Sequence, residues 1–194
     1  MNVCGLTGGV GMGKSTTADF LRERSIRVVD TDQLARELVE PGQPALQEIQ
    51  SAFGGQVFAS DGHLNRDALA KIVFADVQAR RKLEGILHPR IRESWSGQID
   101  VWRRENVALA FVVIPLLFET NAESSFDKIF CTACSPLAQR NRLFSRGWSP
   151  SQIEQRIAAQ LPTDQKIARS DFVIWTDGAV EIHRQQVDRL LMLI

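Results

Sequence analysis

The stretch GLTGGVGMGKSTTADFL at residues 5–21 restricts the folds open to this chain more than any other. Gly8, Gly13, Lys14 and Ser15 meet the full G-x-x-x-x-G-K-[ST] spacing of a phosphate-binding loop. Backbone N–H groups must converge on phosphate oxygens, and side chains at Gly8, Gly11 or Gly13 are expected to obstruct that nest. A helix opening near Lys14 adds its positive N-terminal end. Lys14 brings a full charge to the outer phosphates, the Ser15 hydroxyl can ligate a magnesium ion, and Thr16 offers a second hydroxyl. The motif carries weight only between a strand and a helix. Both are expected here, from the apolar run Val3 to Leu6 and from Ala18 and Leu21 at helical spacing. The expected ligand is a nucleoside triphosphate.

IRVVD (26–30) reads as a second strand, so the chain opens as strand, loop, helix, strand, the start of a parallel sheet. From Thr31 to about Asn106 the texture is helical, with breaks at PGQP (41–44), FGG (53–55) and SDGH (60–63). A helix is expected from Arg66 with Asn65 as cap, and another from Val77. His88-Pro89 is expected to interrupt it. Ile91, Trp95, Ile99 and Trp102 recur at three- and four-residue steps, a stripe for packing rather than for a cofactor. VALAFVVI (107–114) has the continuous apolar run of a strand covered on both faces, and Pro115 ends it. KIFCT (128–132) and FVIW (172–175) are further strands. Ser-Pro at 135–136 and at 149–150 opens two helices, separated by Gly147, and Val180, Val187, Leu190 and Leu191 mark a closing helix. The expected fold is α/β. Residues 1–32, 107–134 and 164–194 form a core with helices on both faces of a parallel sheet, 33–106 a helical insertion, and 135–163 a second helical element.

Acidic and basic residues balance at 23 each, which argues against a nucleic-acid partner held by bulk attraction. Arginine outnumbers lysine, which suits bidentate phosphate contact. No apolar run reaches membrane-spanning length and the start does not read as a signal peptide, so a reduced, cytoplasmic setting is expected. Cys131-x-x-Cys134 has the spacing of half a zinc site or of a redox pair, but no second Cys/His pair with ligand spacing follows it.

Asp30 and Asp32 sit just past the second strand, at the sheet edge where ligands of open α/β sheets bind. A carboxylate there can take the proton of a hydroxyl that attacks phosphorus, or Asp32 can simply cap a helix through Leu34 and Leu38. Arg36, one turn on, either reaches an anionic substrate or faces water. Arg142 and Arg146 share a helix face and can close over phosphates, or form a solvated face. Arg140 points elsewhere. His88 is either a substrate contact or a cap beside proline, and His63 and His183 have no assigned role. No Asn-Lys-x-Asp or Asp-x-x-Gly sequence supports a GTPase, and the usual acidic magnesium partner after the third strand is missing. A small-molecule kinase fits better. Other readings are a nucleoside monophosphate kinase or a nucleotide-binding module without turnover.

GLTGGVGMGKST, DTDQLAR, HPRI, VVIPLLFE and RGWSPSQIEQRIAAQ followed by SDFVI resemble, in order, the motifs of dephospho-CoA kinases. The resemblance runs from about residue 3 to residue 178. It implies ATP-dependent phosphorylation of the ribose 3′-hydroxyl of dephospho-CoA, the last step of coenzyme A synthesis. It also implies a phosphate-loop kinase core, a helical substrate-binding insertion and a lid. By this resemblance Asp32 is the base, Lys14 and Arg142 assist transfer, and Arg142 and Arg146 are lid arginines on ATP. Gly8, Gly9, Gly11, Met12, Gly13, Lys14, Ser15 and Thr16 hold the nucleotide with magnesium. Asp32, Arg36, His88 and Pro115-Leu116-Leu117 border dephospho-CoA. The chain departs from the family at Met12, whose side chain is expected to point outward, and at Thr31. It departs too at Gly147 and at WTDG (175–178), which lacks the family's asparagine.

Overall fold

A computed structural model describes residues 1–194. The chain forms two compact units, Met1–Asp30 with Val101–Ile194, and Thr31–Asp100. The first holds five parallel strands: β1 Asn2–Gly8, β2 Arg27–Asp30, β3 Leu109–Val113, β4 Lys128–Ala133 and β5 Phe172–Trp175. Their spatial order is β2-β3-β1-β4-β5, with Leu6 beside Val113 and Phe130, and Asp30 beside Val113. Two aspartates fix where strands begin: Asp127 accepts from Val3 N–H and Asp171 from Ile129 N–H.

Alternation along the strands sends Cys4, Leu6, Phe111, Val113, Phe130 and Ile174 to one face. There they meet Ala18, Phe20 and Leu21 of α1 (Lys14–Glu23) and Val187 of α9 (Val180–Leu191). On the opposite face Leu117 and Phe126 press so closely on β1 that a Cβ on Gly5 would lie 2.6 Å from Leu117 Cδ1. α8 (Thr163–Ala168) packs on β1 and β4. Between β4 and α8 run α6 (Pro136–Ser145) and α7 (Pro150–Ala158). Ser135 and Ser149 cap these helices as expected, Ser149 in a reciprocal box with Gln152, and Gly147 turns the chain between them at φ 82°.

The second unit is helical: α2 Thr31–Glu37, α3 Pro44–Phe53, α4 Arg66–Ala75 and most of α5, Val77–Arg104. Its own core gathers Val39, Leu46, Ile49, Phe53, Val57 and Leu69. Asn65 caps α4 by accepting from Ala68 N–H at 3.0 Å. One expectation is corrected here, because α5 does not break at His88-Pro89 but runs through it for 28 residues. Pro89 deprives only the Gly85 carbonyl of a helical partner, and Gly85 is exposed, so water can serve that oxygen. Leu83, Ile86 and Leu87 pack before the proline and Trp95 and Ile99 are buried after it. Burial on both sides outweighs the local cost of about 3 kcal/mol. No helix is long and apolar enough to cross a membrane.

Candidate active site

The phosphate loop leaves β1 at Gly8 and enters α1 at Lys14. Gly8, Gly11 and Gly13 hold φ of 144°, 75° and 91°, conformations that side chains resist. Close neighbours give a further reason for glycine. A Cβ on Gly8 would lie 2.4 Å from the Thr132 carbonyl oxygen, one on Gly11 3.0 Å from Leu143, and one on Gly13 3.1 Å from Thr176. Added side chains would strike residues packed against the loop. The expectation for Met12 is corrected. It is 2 % exposed, not outward, with its sulfur against Gly9 and accepting from Thr163 Oγ1 at 3.6 Å. A flexible thioether fills that irregular gap.

No side chain caps the N-terminus of α1, and its first turn carries no acid. That end is therefore open to an anion, with the helix dipole behind it. Lys14 Nζ donates to the Gly8 and Gly9 carbonyls at 2.8 and 2.9 Å, which folds the ammonium back onto the loop. Ser15 is exposed and Thr16 half-buried.

The loop is braced from α6 and from the end of α7. Val10 N–H donates to Gln160 Oε1 and Val10 C=O accepts from Gln139 Nε2, both at 2.8 Å. Arg142 Nη1 donates to Thr176 Oγ1 at 2.8 Å and to Gly11 C=O at 3.4 Å, while Nη2 donates to the Thr176 carbonyl. Thr176 Oγ1 in turn donates to Met12 C=O at 3.3 Å. Arg146 is the C-cap residue of α6 and is exposed, so the structure brings only Arg142 to the loop. Arg140 pairs with Glu154 on α7.

Beneath α1, Thr17 Oγ1 donates to Gly13 C=O at 3.2 Å and lies 2.8 Å from His183 Nε2. With the threonine proton so used, the network assigns Nε2–H as the donor. His183 is 4 % exposed and meets Phe20 edge-on at 5.1 Å between ring centroids. Burial, and secondarily the Arg142 charge, push its pKa below the ordinary histidine value.

Pro115 and Leu116 are half-buried beyond β3, whereas Leu117 is fully buried and has no exposed side chain to offer. The Pro115 carbonyl accepts from Thr7 Oγ1 at 3.4 Å and from Lys166 Nζ at 2.7 Å. The three cysteines are buried free thiols. Burial pushes Cys4 up to about 12 and Cys131 to about 11, so neither tends toward the reactive thiolate.

Asp32, Arg36 and His88 belong to the helical unit. α2 starts at Thr31, so Asp32 stands inside its first turn and is not the residue preceding the helix; it is exposed. Arg36 is exposed in the last turn, and its carbonyl accepts from Arg66 Nη2 at 3.4 Å. His88 is half-buried in mid-helix, away from any cap position.

Sequence reasoning missed Gln139, Gln160, Thr176, His183 and Lys166. For Gln139 a signal existed, because it lies three residues before Arg142 on the same helix face. For His183 one existed too, because it lies four residues before Val187 and seven before Leu190 on the apolar stripe of the closing helix, whereas Lys166 follows three polar residues and carries no such signal.

The family model described as dephospho-CoA kinase matches residues 2–181. A dephospho-CoA kinase of Anaeromyxobacter dehalogenans (strain 2CP-C) is 46% identical over 98% of this chain and 91% of its own length. The crystal structure of TT1252 from Thermus thermophilus superposes with a TM-score of 0.83 at 30% identity, covering 100% of this chain and 97% of that one. A dephospho-CoA kinase from Campylobacter jejuni shares the fold, with a TM-score of 0.73 at 24% identity, covering 98% of this chain and 96% of its own. An uncapped helix end under a braced glycine loop, on a five-stranded parallel sheet, is the frame on which these matches fall, and the chain belongs to the dephospho-CoA kinase family.

Proposed function

We propose that this kinase moves the terminal phosphoryl group of ATP onto the ribose 3′-hydroxyl of dephospho-CoA through a division of labour among its own residues. The observation that carries the reading is the open N-terminus of α1, with Lys14 folded over the loop before it. Residues 8–16 hold the triphosphate by backbone N–H groups and the Lys14 charge. Asp32 accepts the hydroxyl proton as the oxygen attacks. Arg142 needs only to exchange its Thr176 contacts for phosphate oxygens to neutralise transferring charge. Arg146 joins it from the C-terminus of α6. The exposed Ser15 hydroxyl, at an anion-ready helix end, fits a magnesium ion, which when bound neutralises charge on the transferring group. Residues 33–106, with Arg36 and His88, take dephospho-CoA together with Pro115 and Leu116. Residues 135–163 act as the lid, and the setting is cytoplasmic.

The test is ADP formation with dephospho-CoA, adenosine, AMP and pantothenate offered separately. Only dephospho-CoA is expected to react fast. Fast turnover of AMP would instead make the chain a nucleoside monophosphate kinase. Tight ATP binding with no ADP from any acceptor would make it a binding module.

A further inference from the structure

Lys166 is the largest charged side chain with no exposed surface: its relative accessibility is 0 %. Burying an ammonium is costly unless it is paired and hydrogen-bonded, and Lys166 is both. Its Nζ donates to Pro115 C=O at 2.7 Å and pairs with Glu119 Oε1 at 2.8 Å. Glu119 reaches in from the rim, its side chain 21 % exposed, and the same oxygen accepts from Leu161 N–H at 2.7 Å. The neighbouring residue, Gln160, accepts from Val10 N–H at 2.8 Å. Polar contacts, joined by the backbone between Gln160 and Leu161, thus link the phosphate loop to the segment that leaves β3. They pass through Val10, Gln160, Leu161, Glu119, Lys166 and Pro115, all within one compact unit.

Stability alone does not explain this arrangement, since an apolar pair of similar volume generally serves a core as well as an ion pair does. A fixed geometry between two parts of a site does explain it. Reacting atoms must be held within a few tenths of an ångström, and misplacement by 1 Å from a remote change costs on the order of 100-fold in rate. We infer that Lys166 and Glu119 are positioning residues that hold the Pro115 segment in register with the phosphate loop, through Gln160. The inference rests on the proposed reading in which the loop grips ATP and the Pro115 segment borders the acceptor.

The decisive variant is Lys166→Met with Glu119→Leu, which leaves no buried charge unpaired. Two quantities are measured. One is steady-state turnover per folded molecule with ATP and dephospho-CoA. The other is amide exchange at Val10 and Leu161 in the ligand-free protein, which needs no activity. The expected result is a fall in kcat of at least tenfold with both KM values changed less than threefold. Exchange at Val10 is expected to speed up at least tenfold, although Val10 touches neither substituted residue. Retention of kcat within threefold, or unchanged protection at Val10, would overturn the inference. If the double variant fails to fold, Gln160→Ala cuts the same chain at a half-buried neutral residue; there kcat and exchange at Leu161, whose N–H bonds to Glu119 and not to Gln160, decide by the same limits. The parent enzyme in the same assay tests the underlying reading separately: no turnover of dephospho-CoA by the parent would end that reading, while the exchange data would still judge the coupling.

Discussion

Lys14 and Asp32 are single residues to which the proposed mechanism assigns different chemistry. In the proposed mechanism Lys14 serves as charge, whereas Asp32, which stands in the first turn of α2, serves as proton acceptor. Asp32→Asn keeps size and polarity but cannot accept that proton. Turnover is expected to fall by about 10²- to 10⁴-fold, with ATP affinity unchanged by titration calorimetry. At Met12 the structure departs from expectation. Its place in a loop where a small residue is usual suggested an outward side chain, yet packing between Gly9 and Thr163 decided its direction, and no local rule contains those neighbours.

Helices whose ends are written in side chains were read correctly at the level of elements. Asn65, Ser135 and Ser149 each accept from the backbone N–H three residues on. Asn65 is exposed and its backbone bonds to Val57 and Leu69 survive substitution, so Asn65→Ala removes the side-chain cap and is expected to cost about 1 kcal/mol. Thermal unfolding would show that as a fall of about 2–4 °C in Tm. Pro89 shows where element rules stop. Proline predicts a break from one missing hydrogen bond, while α5 is held by apolar side chains on both sides of it. The outcome depends on a balance between a local term and a packing term, and only the first is visible in the residues themselves.

At the scale of the whole molecule, His183 links the closing helix to the phosphate loop through Thr17, with Phe20 and Arg142 as its other neighbours. Its pKa is lowered in the folded protein, so the unfolded chain binds a proton that the folded one resists. Stability is therefore full above the ordinary histidine pKa of about 6.5 and declines as pH falls through it toward the lowered folded value. For one proton the slope is no steeper than about 1.4 kcal/mol per pH unit. Denaturant unfolding between pH 5 and 8 is expected to show it, and His183→Gln to flatten it. A parent curve flat over that range would show that His183 does not resist protonation.

The strands, the loop and the caps were determined by the sequence alone, because hydrophobic period, glycine spacing and capping chemistry act over a few neighbouring residues. Tertiary structure alone decided that Gln139 and Gln160 would grasp the two sides of one peptide, that Arg142 would dock while Arg146 stayed exposed, and that a lysine would lie fully buried beside Pro115. These contacts join residues far apart in the chain, and each depends on where a polar group finds its partner once water is excluded. No stretch of the sequence carries that information by itself.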